Sequence, residues 1–102
     1  MGIGMQIVYL GFTGSAPIEA EAGAQFVRLE RFWRTISGCH LAIEALHDSP
    51  GHLMYDARID LITRANELIP VRHCMNEDAG VAVQAAFDAA EQQLEGASHP
   101  GS

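Results

Sequence analysis

The stretch YDARIDLI at residues 55–62 decides the fold, together with the segment VAVQAAFDAAEQQLE at residues 81–95. In the first stretch apolar and polar residues alternate, which is the period of a β-strand with one buried face. In the second, large apolar residues recur every three or four positions and the acidic and amide residues fall on the opposite side, which predicts an amphipathic helix. A strand and a helix that each bury one face predict a two-layer arrangement.

The residues before this pair predict a first strand and a long first helix. Residues 6–12 are rich in β-branched and aromatic residues, as a strand would be. Ser15 supplies an N-cap and Pro17 suits the first helical turn. The helix is predicted to cover about residues 16–36 and to end at Ser37-Gly38. Its buried stripe has helical spacing and consists of Ala22, Phe26, Leu29, Trp33 and Ile36.

Two further strands complete the prediction. Leu41, Ile43 and Ala45 alternate with other residues, as in a strand, and residues 48–51 (DSPG) predict a turn. Residues 69–75 read as the last strand, at a sheet edge because Pro70 cannot donate a ladder hydrogen bond. Asn76, Glu77 and Asp78 then offer capping oxygens and negative charge to the start of the second helix.

The element order is therefore β-α-β-β-β-α, which predicts an α+β two-layer sandwich. A helical crossover makes the first two strands parallel, and hairpins join the rest. Two helices should cover one face of a four-stranded sheet and leave the other face open. The chain divides into a flexible N-terminus (1–5), a single domain (6–95) and a disordered tail (96–102).

Composition restricts the class of protein. The chain has 102 residues, 48% of them hydrophobic, and a mean hydropathy of +0.05, so we expect one soluble domain. No apolar stretch could cross a bilayer and no secretory signal is visible, so we expect the cytoplasm. The chain has thirteen acidic residues, six arginines and no lysine, for a net charge of −7. That balance opposes binding along a nucleic-acid backbone unless a local basic patch overrides it.

Several stretches, in this order and spacing, resemble one protein family. They are residues 29–32 (LERF), 39–44 (CHLAIE) with His47, 55–61, 85–90 (AAFDAA) and 93–95 (QLE). Over about residues 6–95 the chain resembles the ribosome hibernation promoting factors of bacteria. These are also called ribosome-associated translation inhibitors or sigma-54 modulation proteins.

The resemblance implies a stress-response protein that binds rRNA in the channel of the small ribosomal subunit and halts translation without a chemical step. It also implies a short form, since the long C-terminal extension that pairs ribosomes is absent. The chain differs from the family at residues 91–93 (EQQ), where members usually carry Lys and Arg. The helix also stops at Gly96 instead of continuing into a basic tail.

Candidate RNA-binding residues are cationic or imidazole side chains on three parts of the fold. Arg28, Arg31 and Arg34 lie on the side of the first helix opposite Trp33, where they could contact phosphates or form an ordinary solvated face. Arg58 on the open sheet face and Arg72 on the next strand could grip a phosphate; the favoured interpretation is cross-strand pairing of these arginines with Asp56 and Asp60. His47, at the end of strand two, is expected to contact RNA or water.

Other kinds of site are not expected. His47, His52, His73 and Cys74 approach one end of the sheet, but strands two and four are separated by a third and no zinc-type spacing exists. Cys39 and Cys74 should be reduced and too far apart for a disulfide. No nucleophile lies beside a base and no phosphate loop follows a strand, so we expect no catalytic residues, metal, cofactor, small-molecule substrate or membrane partner.

Two function hypotheses follow. The first is a non-enzymatic, ribosome-associated translation modulator that docks through the arginines of the first helix and the open sheet. The second is a protein-interaction module on the same fold that has lost rRNA binding. Its acidic second helix would meet a basic protein, or its sheet would pair with itself in a homodimer. A small-molecule enzyme is the least favoured possibility.

Overall fold

A mixed sheet with helices on one face forms the domain. The computed structural model describes residues 2–98, without the side chains of Asp48, Ala97 and Ser98. Its elements within that range, in chain order, are β1 (Gly4–Leu10), α1 (Ala16–Phe26), a 3-10 helix (Val27–Phe32), β2 (Ile36–Ser49), β3 (His52–Thr63), β4 (Leu68–Pro70), β5 (Cys74–Asn76) and α2 (Ala79–Ser98). Met1 and residues 99–102, part of the predicted flexible ends, lie outside the described residues.

The sheet topology confirms the predicted α+β sandwich. β1 runs parallel to β2, with Ile7 opposite Leu41. β2 and β3 form a long antiparallel hairpin, with Ile43 opposite Ala57. The far edge of β3 is paired antiparallel by β4 at one end and by β5 at the other. The crossover through α1 explains the parallel pair, because only a long connection can return the chain in the same direction.

The core lies between one face of the sheet and the helices. Five of the residues predicted to face inward from β2 and β3 are fully buried: Leu41, Ile43, Ala57, Ile59 and Leu61. Ala45 and Tyr55, predicted on the same face, are only partly buried. The predicted apolar side of α2 is buried against this sheet face: Val83, Ala86, Phe87, Ala90 and Leu94. Both helices begin at the predicted caps. The Ser15 hydroxyl accepts from the Ile18 amide at 3.3 Å, and the Asp78 carboxylate accepts from the Gly80 amide at 2.8 Å.

The predicted length of the first helix is wrong. The α-helix ends at Phe26, a 3-10 helix follows to Phe32, and Ile36 already belongs to β2. A 3-10 helix has three residues per turn, so a stripe spaced for an α-helix loses its register there. Phe32 is therefore buried in place of Trp33, whose exposure is 37%.

The prediction that Gly38 ends a helix is wrong. It lies inside β2 opposite Gly4 of β1. A Cβ atom at Gly38 would lie 2.6 Å from the Gly4 carbonyl oxygen. The glycine therefore permits the close approach of two strands, and this explains how a residue typical of helix ends can occur near the start of a strand.

The prediction of one continuous last strand is also wrong. Residues 71–73 separate β4 from β5. The Val71 amide still donates to the Ile59 carbonyl at 2.9 Å, and the Val71 side chain is 4% exposed. Burial of Val71, after a proline without an N–H, bends the chain out of a regular ladder. This edge of the sheet is therefore interrupted.

The opposite edge of the sheet is β1, and it differs in character. β1 pairs on one side with β2, and in the described chain no strand covers its other side. Its sequence, GMQIVYL, contains no charged residue and no proline. Edge strands of this kind lack the usual features that prevent pairing with another chain.

The element boundaries differ slightly from the prediction. β1 begins at Gly4 rather than residue 6, and α2 continues to Ser98 rather than residue 95. In the described residues no helix is long and apolar enough to span a membrane.

Candidate functional site

Arg28 and Arg31, two of the predicted RNA-binding residues, project toward α2. The Arg28 Nη2 atom lies 2.7 Å from Asp88 Oδ1 and 2.6 Å from Glu91 Oε1. The Arg31 Nη2 atom lies 3.1 Å from Glu91 Oε2 and 3.3 Å from Glu95 Oε2. These five side chains are called the interhelix ion network below. It joins the 3-10 helix to the face of α2 that was expected to be solvated.

The interhelix ion network shifts the pKa of Arg28 and of Glu91. The pKa of Glu91 is lowered, chiefly by the hydrogen bond from Arg28 and next by the one from Arg31. The pKa of Arg28 is raised, chiefly by its hydrogen bond to Glu91 and next by that to Asp88. Arg28 also donates to Gln25 Oε1 at 2.7 Å. Two arginines against three carboxylates leave this patch with a net charge of −1 (2 − 3), so it is not a basic surface.

Arg58 lies on the open face of the sheet, as predicted, but with a different partner. Its Nη1 atom is 3.9 Å from Glu44 Oε1 on β2, a long ion-pair distance. The predicted partner Asp56 is 5% exposed and lies instead 3.1 Å from Nδ1 of His73. Asp56 is buried because β5 covers this part of β3, with Met75 directly opposite it.

Arg72 and His47 are both exposed. Arg72 lies in the interruption between β4 and β5 rather than on a strand, and no carboxylate among the described side chains pairs with it. His47 lies near the end of β2, opposite Leu53 of β3. The structure therefore does not bring the six predicted residues into one patch, because Arg28 and Arg31 face α2 whereas Arg72 lies at the β4–β5 edge.

His52 and the two cysteines do not form a common site among the described residues. His52 Nε2 lies 3.0 Å from Glu77 Oε1. Cys39 and Cys74 are free thiols, and burial raises the pKa of Cys39 to about 12. Among the described residues no three His, Cys, Asp or Glu side chains lie close enough together to hold a metal ion.

Arg34 belongs to a second cluster that sequence reasoning missed. Its guanidinium carbon lies 5.0 Å from the centroid of the Trp33 ring. Arg64 Nε donates to the Trp33 carbonyl oxygen at 2.8 Å. Trp33, Arg34 and Arg64 are called the Trp–Arg cluster below. The sequence placed Trp33 in the core and Arg64 in a polar connection, and no local pattern places residues 33 and 64 side by side.

Comparisons with known proteins support the fold. No protein-family model matches the chain, and no curated protein matches it. Among solved structures, a ribosomal subunit interface protein from Coxiella burnetii is similar with a TM-score of 0.69 and 17% identity, over 94% of this chain and 98% of that one. The N-terminal domain of Protein Y from Thermus thermophilus has a TM-score of 0.71 and 17% identity, over 93% and 97%. The chain therefore has the fold of these two proteins over nearly its whole length.

Proposed function

We propose that this protein is a non-enzymatic, ribosome-associated stress factor of the bacterial cytoplasm that binds the small ribosomal subunit and lowers translation. The observation that carries the proposal is the end-to-end likeness of its fold to a ribosomal subunit interface protein, with 98% of that protein covered. The motifs at residues 29–32, 39–44 and 85–90 support it independently.

The distribution of cations supports rRNA contact at particular residues. Arg34, Arg64 and Arg72 form no ion pair with the described carboxylates, so their charge is available to phosphates. Arg58 is held only by a 3.9 Å contact and His47 is exposed. Arg28 and Arg31 are already neutralised by α2. In this proposal Arg34 and Arg72 therefore contribute more to RNA affinity than Arg28 and Arg31 do.

The direct test is co-sedimentation of the protein with purified small ribosomal subunits over a series of salt concentrations. If three free arginines replace counterions, the logarithm of the binding constant should fall against the logarithm of salt with a slope of about −2 to −3. Arg34→Gln with Arg72→Gln should bring the slope closer to zero by about 1.4–1.8, and Arg28→Gln is the matched control that should change it little. Absence of co-sedimentation at the lowest salt would reject the proposal.

Inhibition is tested separately from binding. Added to a reconstituted translation reaction in excess over ribosomes, the protein should lower peptide synthesis, and Arg34→Gln with Arg72→Gln should restore it. Co-sedimentation without any loss of synthesis would leave binding in place and reject inhibition.

One observation favours the second candidate function, a homodimer or protein-interaction module without rRNA binding. Among the described strands β1 has β2 as its one neighbour and carries no charged residue, and a second copy could extend the sheet there. Sedimentation velocity across a concentration series measures this directly. A dimer that ignores ribosomal subunits would establish the second function in place of the first.

A further inference from the structure

The Trp–Arg cluster brings two arginine side chains to one partly exposed tryptophan, one at its ring and one at its backbone carbonyl oxygen. Trp33 follows the 3-10 helix and is 37% exposed. Arg34 lies over its ring, 5.0 Å from the centroid. Arg64, from the connection between β3 and β4, donates through Nε to the Trp33 carbonyl oxygen at 2.8 Å. Only Nε of Arg64 is used in that contact, so both terminal nitrogens remain available as donors.

Backbone hydrogen bonds hold the two loops of this cluster together. The Trp33 amide donates to the Glu30 carbonyl at 3.2 Å, and the Thr35 amide donates to the Phe32 carbonyl at 2.8 Å. The Arg64 amide donates to the Thr35 carbonyl at 3.4 Å, which joins one loop to the other. The second loop is closed by the Thr63 amide on the Glu67 carbonyl at 2.9 Å. The ring and both guanidinium groups therefore start from ordered backbone, which lowers the entropy lost on binding.

The charge of the cluster sets it apart from the other arginines. Arg28, Arg31 and Arg58 have carboxylate partners. Within the described residues neither Arg34 nor Arg64 has one, although Glu30 and Glu67 are near in sequence. In a chain of net charge −7, two arginines that contact the same tryptophan thus have no carboxylate partner among the described residues. That combination is typical of surfaces that bind single-stranded nucleic acid, where bases stack on aromatic rings or guanidinium planes and arginines contact phosphates.

We propose that the Trp–Arg cluster binds one unpaired nucleotide of single-stranded RNA. The base stacks on the Trp33–Arg34 pair, and the terminal nitrogens of Arg64 donate to the adjoining phosphate. This inference rests on the proposed ribosome association and assigns part of its RNA contact to residues 33, 34 and 64. Stacking does not read the sequence of the base, so the cluster selects unpaired over paired RNA rather than one base over another.

The chain supplies its own probe, because Trp33 is its single tryptophan. Titration with a single-stranded oligoadenylate of about seven nucleotides should change the intensity and wavelength of tryptophan emission, since a stacked base removes water from the indole. A double-stranded RNA of the same length should change the emission little. An abasic strand, which keeps the phosphates and lacks the bases, should bind at least about five-fold more weakly, as one lost stacking contact implies.

Variants assign the effect to the cluster, with binding followed by the anisotropy of a labelled oligoadenylate. Trp33→Ala should weaken binding about ten-fold, and Trp33→Phe should recover most of that loss. Arg64→Gln should weaken binding and flatten its salt dependence. Arg31→Gln is the matched control, since Arg31 is an exposed arginine already paired with α2. Circular dichroism of each variant checks that the fold is retained.

The outcomes separate this inference from the proposed function. If the wild-type protein binds small subunits and Trp33→Ala binds them equally well, the inference is overturned and the proposed function stands. If oligoadenylate changes the emission but no small subunits co-sediment, the cluster stands and the ribosomal assignment fails. Unchanged emission at saturating oligoadenylate, or equal affinity for the abasic strand, would overturn base stacking. The cluster would then be assigned to contact with a protein instead of RNA.

Discussion

The Nη2 atom of Arg28 lies 2.6 Å from Oε1 of Glu91, although 63 residues separate the two along the chain. The contact joins the 3-10 helix to α2. Arg28 and Glu91 are each partly exposed, with side-chain exposures of 32% and 23%. Solvent therefore screens the attraction in part, and the contribution belongs near the upper end of the range for surface pairs.

We expect a double-mutant cycle on Arg28→Gln and Glu91→Gln to give a coupling energy of about 0.5–1 kcal/mol. The physical reason is that the bond is short and charge-assisted but partly hydrated. Urea unfolding of the four proteins measures the coupling. Arg34→Gln is a suitable control, because it breaks no carboxylate contact. Additive single changes would show that the Arg28–Glu91 pair adds nothing to stability.

The stability supplied by Glu91 should depend on pH. Its pKa is lowered in the folded protein, so its contribution is complete above its unfolded value near 4.5 and is lost as the pH falls through the folded value. The difference in Tm between the wild type and Glu91→Gln should be largest near neutral pH and shrink below about pH 4.5. Thermal unfolding from about pH 7 to pH 3 measures it. A Glu91→Gln difference in Tm that stays constant over this pH range would contradict the prediction.

Gly14→Ala should destabilise the domain more than Gly51→Ala. Both glycines have a left-handed backbone, with φ of 79° and 77°, so both alanines carry a similar conformational cost of about 1 kcal/mol. A Cβ at Gly14 would also lie 2.5 Å from the Tyr9 ring, whereas a Cβ at Gly51 meets open space.

The additional cost at Gly14 should be about 1–3 kcal/mol, as in other overpacked sites. Chemical denaturation measures the free energy of unfolding of each variant, and the difference between the two variants gives the cost of the contact with Tyr9. Near-ultraviolet circular dichroism should change in Gly14→Ala alone, because Tyr9 packs edge-on against Phe12. Equal destabilisation of the two variants would show that the Tyr9 ring moves aside at no cost.

The two thiols should differ strongly in reactivity. Cys39 is 1% exposed and burial raises its pKa to about 12, so it forms little thiolate at neutral pH. Cys74 is only partly buried. A colorimetric thiol reagent should therefore modify one cysteine rapidly in the folded protein and the second only after denaturation. Cys74→Ser should abolish the rapid phase, and a rapid phase of two thiols would mean that β2 opens readily at Cys39.

The parts of the fold that were predictable are those in which local pattern and tertiary structure agree. The alternation at residues 57–61 and the apolar side of α2 identified buried faces correctly, because these parts pack against one another in the core. The alternation missed Asp56, which is buried on the face predicted to be open. Ser15 and Asp78 were recognisable caps because capping is decided within three residues. The prediction of the first helix was wrong from Val27 onward. There the period changes from 3.6 to three residues per turn, and no residue type in the sequence indicates the change.

The candidate site was less predictable because its contacts are tertiary. Arg28, Arg31 and the acidic side of α2 each looked like an independent charged surface. The crossing of two helices places them against one another, and no spacing within either segment encodes that contact. The same limit applies to Trp33 and Arg64, which meet through a backbone carbonyl oxygen that the sequence does not display.

The two edges of the sheet have a consequence for stoichiometry. Two copies that pair through β1 in antiparallel fashion are related by a twofold axis. The contact therefore uses the same edge of each chain and fills the backbone hydrogen-bonding groups of both edges. The outer edges of such a pair are the interrupted β4 and β5, where Pro70 lacks an N–H and residues 71–73 leave the ladder. A third chain finds no continuous row of donors and acceptors there. If two copies do pair through β1, we therefore expect strand pairing to end at two copies.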